Sequence, residues 1–139
     1  MSCRGCCRYS EENSIWSAHL LKEEKARLGK IRIVADPGQN NFICGFFNKE
    51  DNKCKIYPMR PFECQLYPFV FDRKDNNIFL ALDLNCTFVK ENRQKEEFKE
   101  YTQYLTALIK SPACLIFLKN NRQLIQEYAD VLDMDELNI

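Results

Sequence analysis

The sequence predicts a small single-domain α+β protein, in which a cysteine-rich loop and β-hairpin part is packed on C-terminal helices. Seven of the eight cysteines fall within the first 86 of the 139 residues. Short apolar runs separated by turn residues predict strands between about residues 30 and 82, whereas apolar residues at helical spacing predict helices from about residue 90. We therefore expect a cysteine-rich part over residues 1–89 and a helical part over residues 90–139.

The N-terminal elements are predicted from periodicity and from residues that begin or end helices. Residues 1–9 have neither helical nor strand periodicity and are predicted to form a loop. A modest amphipathic helix is predicted from the region of Ser14 and Ser17 to Leu28, with Gly29 ending it. Brief alternation in residues 30–35 predicts a strand, which the following Asp-Pro-Gly sequence ends.

A first hairpin is predicted from residues 42–47 and 53–57, which flank a polar stretch. Such a hairpin would bring Cys44 and Cys54 near each other. Whether the two cysteines share a face depends on the strand register, which the sequence does not fix.

A short helical turn and a second hairpin are expected next. Pro61 is suited to the first position of a helical turn that carries Cys64, and the proline at position 68 closes that turn. Residues 69–71 and 78–82 flank another polar stretch and predict the second hairpin, with Cys86 just beyond its exit.

The last third of the chain is predicted to be helical. Apolar residues over 98–109 recur at helical spacing, and Ser111-Pro112 restarts a helix as a cap followed by a first-turn proline. The apolar pattern continues to Leu132, with a break at residues 120–121. Cys114 lies on this apolar stripe, so we expect it to be a small buried hydrophobe rather than a ligand.

Composition excludes some classes of function. Lysine plus arginine equals aspartate plus glutamate at 20 each, which argues against general nucleic-acid binding. No apolar run approaches the roughly 18 residues that span a bilayer, so membrane insertion is not expected. The N-terminus lacks the apolar segment of a secretory signal, and we therefore expect a cytoplasmic protein.

The cysteines indicate metal binding rather than disulfides. Thiols stay reduced in a reducing compartment, and clustered cysteines there more often bind metal or act in catalysis. The sequence contains no Ser-His-Asp arrangement, Gly-rich phosphate loop or zinc-protease motif, so no catalytic residue is assigned. Thiolate ligands suit zinc or an iron–sulfur cluster. His19, the only histidine, is expected to be a surface or core side chain.

The candidate ligands follow from spacing and from position relative to the predicted turns. The two residues between the first pair of cysteines are typical of a metal knuckle, in which two thiolates converge in one turn. Arg60, in a rigid turn between two prolines, is the candidate to support the site from behind the ligands. The candidate ligands, in order of preference, are Cys3, Cys6, Cys54, Cys64, Cys7, Cys86 and Cys44.

Two segments resemble a known family. The head Cys3-Arg-Gly-Cys6-Cys7 and the segment Cys54-Lys-Ile-Tyr-Pro-Met-Arg60-Pro-Phe-Glu-Cys64-Gln-Leu-Tyr-Pro-Phe are similar to the YkgJ-type cysteine-cluster family, also called the CxxCxxCC zinc- or iron-chelating domain. The resemblance covers roughly residues 3 to 86. It implies metal chelation by cysteine, with the metal either zinc or iron. The family head has one more cysteine before Cys3, so either one ligand is missing here or the chain starts late. Proline often follows the last cysteine in the family, where this chain has threonine.

Three functions are compatible with these residues. The first is an iron–sulfur protein with a redox or group-transfer role, since the thiols exceed the needs of one tetrahedral zinc site. The second is a zinc-stabilised interaction module without catalysis, which could bind a protein partner that the sequence does not identify. The third is a redox sensor using Cys6 and Cys7, which needs an exposed thiolate of low pKa.

Overall fold

The computed structural model describes residues 6–139 and confirms a mixed α+β architecture. The chain forms two compact units, one ending at Tyr67 and the other running from Pro68 to Ile139. The expectation of a single domain with parts that meet near residue 89 stays a prediction. No helix within the described residues is long and apolar enough to cross a membrane.

The first unit is built from short elements. Strands β1, β3 and β2 form an antiparallel sheet in that spatial order, while β4 and β5 form a separate two-stranded ribbon. A 3₁₀ turn at Tyr57–Met59 precedes the last helix. The elements in chain order are β1 (Arg8–Tyr9), α1 (Lys22–Leu28), β2 (Ile33–Ala35), β3 (Phe42–Cys44), β4 (Phe47–Asn48), β5 (Lys53–Cys54) and α2 (Phe62–Leu66).

Helix α1 begins later than predicted. The Ser14 hydroxyl accepts a hydrogen bond from the Trp16 N–H at 3.1 Å, and the Ser17 hydroxyl donates to the Ser14 carbonyl at 2.9 Å. The two serines therefore stabilise a turn instead of capping the helix. Gly29 ends the helix as predicted, because its φ of 78° suits glycine and its N–H bonds to the Lys25 carbonyl.

The first predicted hairpin is wrong in its extent. Phe47 pairs with Cys54 in the β4–β5 ribbon, whereas Cys44 ends β3 in the other sheet. The Gly45 N–H bonds to the Arg32 carbonyl at 2.7 Å and so continues the pairing of β3 with β2. A single predicted strand over 42–47 thus divides between two sheets.

The second unit contains a four-stranded sheet and three helices. The spatial order of its strands is β8-β6-β7-β9, with β6 parallel to β8 and the other pairs antiparallel. The elements are β6 (Phe69–Lys74), β7 (Asn77–Asp83), α3 (Thr87–Asn92), α4 (Glu96–Ile109), α5 (Pro112–Asn120), β8 (Ile125–Gln126) and β9 (Val131–Leu137).

The predicted β6–β7 hairpin and the restart at Ser111 are confirmed. Phe69 pairs with Leu82 and Lys74 with Asn77, so the hairpin closes in a two-residue turn. Both turn residues, at 75 and 76, have positive φ, which aspartate and asparagine tolerate. The Ser111 hydroxyl accepts the Cys114 N–H at 3.4 Å as the cap of α5.

The helical prediction for residues 90–139 is wrong beyond Asn120. Helix α5 ends there, and the chain returns as β8 and then as β9, which pairs antiparallel with β7. Leu124 and Ile125 are buried, but they belong to a turn and to β8 rather than to the apolar face of a helix. Short apolar runs do not distinguish a helix from a strand, and pairing with the hairpin decided the outcome.

Candidate metal-binding site

The Cys6–Cys7 turn is joined directly to β3. The two sulfur atoms are 4.0 Å apart, and the Cys7 carbonyl accepts the Cys44 N–H at 2.9 Å. The Tyr9 hydroxyl, on a buried side chain, donates to the Cys6 carbonyl at 3.2 Å. The backbone carbonyls of Cys6 and Cys7 therefore fix the turn to Tyr9 and to β3.

Three further cysteines come from three different elements of the same unit. Cys44 ends β3, Cys54 lies in β5 and Cys64 lies in α2. All three are half-buried free thiols. Two short strands and a short helix thus present thiols from separate points of the sequence, as expected of a ligand set assembled by tertiary structure.

A buried carboxylate connects two of these cysteine-bearing segments. Asp36, whose side chain is inaccessible to solvent, forms an ion pair with Arg8 at 3.2 Å and a second, shorter one with Lys49. Arg8 also lies over the Phe47 ring, 5.1 Å from its centroid. Arg8 adjoins the Cys6–Cys7 turn and Phe47 pairs with Cys54, so the contacts fix both segments relative to each other.

A second buried carboxylate holds helix α2, which carries Cys64. Glu24 accepts the Leu21 N–H at 2.9 Å through one oxygen and the Phe62 N–H at 2.6 Å through the other. It therefore joins the start of α1 to the start of α2. A glutamate at the third position of a helix predicts the bond to the Leu21 N–H, but no sequence pattern predicts the bond to the Phe62 N–H.

His19 lies beside the same helix. Its Nδ1 is 2.9 Å from Glu63 Oε1. Burial raises the pKa of Glu63, and the contact with His19 opposes that effect. The other oxygen of Glu63 is buried and has no hydrogen-bond partner within the described residues. Sequence reasoning expected an ordinary surface or core histidine and did not single out Glu63.

The pKa values of the thiols indicate how closely the cysteines are grouped. The hydrogen bond with Cys6 is the largest cause that raises the pKa of Cys7, followed by burial and by the negative charges of Cys6, Cys44 and Cys54. Burial raises the pKa of Cys64 to about 12, with further contributions from Cys6, Cys44 and Cys54. The charges of Cys6, Cys44 and Cys54 therefore oppose ionisation of both Cys7 and Cys64.

The pKa values of Cys44 and Tyr9 indicate the same grouping of cysteines. Burial raises the pKa of Cys44, and Cys54 and Cys6 add to the effect. Burial also raises the pKa of Tyr9, as do the charges of Cys44, Cys7, Cys64 and Cys6. The structure therefore brings together the sulfur atoms of Cys6, Cys7, Cys44, Cys54 and Cys64, here called the five-thiol group.

The chemistry of this group fits zinc or iron. A metal cation reverses the local electrostatics, because coordinated thiols lose their protons and their negative charges are then compensated. Within residues 6–139, however, no three His, Cys, Asp or Glu side chains stand in an arrangement that could hold a metal ion as they are. The donors are of the right type, and coordination requires their side chains to move.

The other predicted ligands are not part of the five-thiol group. Cys3 lies outside the described residues. Cys86 is buried in the second unit, where it precedes α3. Cys114, which was expected not to be a ligand, lies in α5 and is half-buried. Participation of Cys3 and Cys86 stays a prediction.

Arg60 is held by an aromatic ring. Its guanidinium lies 4.0 Å from the centroid of Tyr57, and its Nε atom is buried with no hydrogen-bond partner within the described residues. Its carbonyl accepts a bond from the Gln65 side chain at 2.8 Å. The supporting role of Arg60 stays a prediction.

The fold and the five-thiol group define a mixed α+β protein with clustered cysteines suited to metal chelation. The chain matches the family model of the CxxCxxCC domain, described as a putative zinc- or iron-chelating domain, over residues 1–104. The chain belongs to this family, and the expected cofactor, zinc or iron, agrees with the family's description. No curated protein and no solved structure matches the chain.

Proposed function

We propose that the five-thiol group supplies the ligands of an iron–sulfur cluster with a redox or group-transfer role. The observation that carries the proposal is that the Cys6–Cys7 turn, β3, β5 and α2 each contribute thiols to one unit, where the charges of Cys6, Cys44 and Cys54 raise the pKa values of both Cys7 and Cys64. Five thiols exceed the four ligands of a tetrahedral zinc site. Iron–sulfur clusters are also held by thiolates, and the surplus leaves a choice of ligand.

A bound cluster would supply one-electron chemistry. The residues of the chain would bind the cluster and hold the thiols in position. Thiols of the group release their protons when they coordinate, and the Asp36 ion pairs keep the Cys6–Cys7 turn close to the β4–β5 ribbon. Glu24 fixes the start of α2, so Cys64 keeps its position when the thiols ionise.

A zinc-stabilised module is the second candidate, and one observation favours it. Among the described residues of the first unit, the buried apolar side chains are Tyr9, Leu20, Ile43, Phe47, Pro61 and Leu66. Its strands contain only two or three residues each. So small a core is typical of domains that need a metal for stability, which a structural zinc ion would provide.

A thiol redox sensor is less well supported. A sensor cysteine reacts as an exposed thiolate of low pKa. The pKa of Cys7 is raised by its hydrogen bond with Cys6 and by burial, which is the opposite direction.

The deciding experiment is purification of the full chain under anaerobic conditions without a metal-binding tag. Iron, zinc and acid-labile sulfide are measured on one sample, together with its absorption spectrum. We expect a coloured protein that contains iron and sulfide, with broad charge-transfer absorption. A colourless protein with stoichiometric zinc would overturn the cluster and support the structural module. A protein that binds neither metal when refolded with each would overturn both.

A further inference from the structure

The first unit contains a groove that is separate from the sulfur atoms. It has a volume of about 640 Å³, within the usual range for ligand sites. One wall is formed by the turn region from Glu12 to His19, and the other by the consecutive residues from Lys30 to Val34. Consecutive residues have side chains on alternating sides of an extended chain, so the groove follows the backbone of this segment.

Ile33 and Val34, at the end of this second wall, belong to strand β2. Strand β2 pairs only with β3 among the described residues and therefore lies at the edge of its sheet. The Arg32 carbonyl accepts the Gly45 N–H, so the backbone of Arg32 faces β3. In an antiparallel pair successive residues alternate, which directs the backbone groups of Ile31 and Ile33 toward the groove. These groups can bond to one more extended chain.

The charges of the groove favour an acidic occupant. Lys30 and Arg32 are exposed, and neither forms an ion pair with a side chain of the described residues. Among the described residues that line the groove, Glu12 is the only acidic one. Lys30 and Arg32 are two residues apart, so they lie on the same side of the extended segment, at the spacing of alternate residues of a paired strand.

The apolar residues complete the pattern. Ile31 and Ile33 are half-buried and alternate with the exposed Lys30, Arg32 and Val34. An occupant that pairs with this edge would meet cations on one side and isoleucines on the other. Its own sequence should therefore alternate acidic and apolar residues.

We propose that this groove binds an extended protein segment with alternating acidic and apolar residues, which adds to the edge of β2 as a further strand. Backbone hydrogen bonds to residues 31 and 33 would supply affinity, and Lys30 and Arg32 would select the sequence. His19 lines the groove and contacts Glu63, the residue before Cys64, so the bound segment would lie beside the helix that carries this thiol. The inference does not depend on which metal is bound.

The test uses the full chain as isolated and a fluorescein-labelled, N-acetylated peptide Ile-Asp-Val-Asp-Val-Asp-Val amide. Binding is measured by fluorescence anisotropy. The double variant Lys30→Glu/Arg32→Glu should bind about tenfold more weakly or worse, because like charges then face each other. The matched control is Lys99→Glu/Lys119→Glu, which makes the same charge change on exposed helical residues of the second unit. The control should bind as the wild type does.

Three further probes separate strand addition from a simple charge effect. A peptide with asparagine for aspartate should bind more weakly, and so should a peptide N-methylated at alternate residues, which loses backbone donors. At equal ionic strength, inorganic phosphate should displace no more peptide than sodium chloride does. The proposal is overturned by an N-methylated peptide of unchanged affinity, by equal losses in the two double variants, by specific displacement with phosphate, or by no peptide binding. Circular dichroism confirms folding, and Arg32→Gln replaces the double variant if that variant is unfolded.

Discussion

At the scale of single residues, Cys64 is the thiol whose surroundings are best defined. Burial and the neighbouring thiols raise its pKa, and Glu24 fixes the first residue of its helix. Such a thiol ionises readily only when a cation compensates the charge. Its substitution therefore tests the ligand assignment directly.

The variant Cys64→Ser is expected to lose most of its bound metal and to melt at a lower temperature, because ligand loss and unfolding are coupled. Metal per protein is measured after gel filtration, and unfolding by circular dichroism. Cys114→Ala is the matched control, since Cys114 lies in α5 of the second unit, and it should keep its metal. Full metal content and unchanged stability in Cys64→Ser would show that the ligand assignment is wrong.

Glu24 allows a test of positioning that changes no sulfur atom. Glu24→Ala removes the acceptor of the Leu21 and Phe62 N–H groups, and we expect a loss of about 1–3 kcal/mol in the free energy of unfolding. Metal affinity should fall as well, because the start of α2 is no longer held.

The control for this change is Glu23→Ala, which alters an exposed neighbour in the same helix. Urea unfolding monitored by tryptophan fluorescence provides the comparison. Equal stability of the two variants would mean that the buried bonds of Glu24 contribute nothing measurable.

At the scale of elements, the four-stranded sheet contains a pair of carboxyl groups. Asp72 on β6 is buried and accepts the Tyr128 N–H at 2.9 Å. Burial raises its pKa from 3.8 to about 6, the Tyr128 bond opposes the change, and a hydrogen bond with Asp133 on β9 adds to it. One oxygen of Asp133 is buried without a partner among the described residues. Compared with the unfolded chain, the fold thus shifts the equilibrium of Asp72 toward its protonated form.

The sheet should accordingly be less stable as the pH rises. Because the pKa of Asp72 is higher in the folded protein than in the unfolded chain, its contribution is complete below about pH 4 and is lost as the pH rises through about 6. Asp72→Asn keeps an acceptor but has no charge. We expect a smaller decrease in stability between about pH 4 and 6, and a stability at neutral pH equal to or above that of the wild type.

Urea midpoints across this pH range measure the effect. Asp75→Asn serves as the control, since residue 75 is exposed and its φ of 52° also suits asparagine. If Asp72→Asn followed the same pH profile as the wild type, Asp72 would not be the group that titrates.

At the scale of the whole molecule, the two units differ in what stabilises them. The second unit buries large side chains on its sheet and helices, including Phe69, Phe71, Leu80, Leu118 and Ile125. Phe69 also lies against Phe98 with ring centroids 6.0 Å apart. The first unit has a smaller apolar core and contains the five-thiol group, so its stability should depend on the metal.

Removal of the metal should therefore affect the units unequally. After treatment with a chelator, we expect amide hydrogen exchange to become faster throughout residues 6–67, while β6 and β7 stay protected. Mass spectrometry of peptic fragments measures both regions in one sample, so the second unit is the internal control. Equal loss of protection in both regions would contradict the inference that metal stabilises mainly the first unit.

Particular elements show why some of the fold could be predicted. The β6–β7 hairpin has two short apolar runs on either side of an Asp-Asn turn, and the Ser-Pro start of α5 and Gly29 act through local backbone preferences. The start of α1 was predicted too early, because the serines bond within their own turn. The C-terminal strands were predicted as helix, because apolar residues after Asn120 fit both periods until a neighbouring strand pairs with them.

The sequence by itself determined the mixed fold class, the family and the types of metal donor, because these depend on residue identity and on local spacing. The tertiary structure decided that Cys44 and Cys54 belong to different sheets, and that Glu24 holds the helix of Cys64. The tertiary structure also places β2 at the edge of its sheet among the described residues, next to Lys30 and Arg32. These features depend on contacts between residues that are distant in sequence. Strand register and the competition of buried polar groups for hydrogen-bond partners determine those contacts.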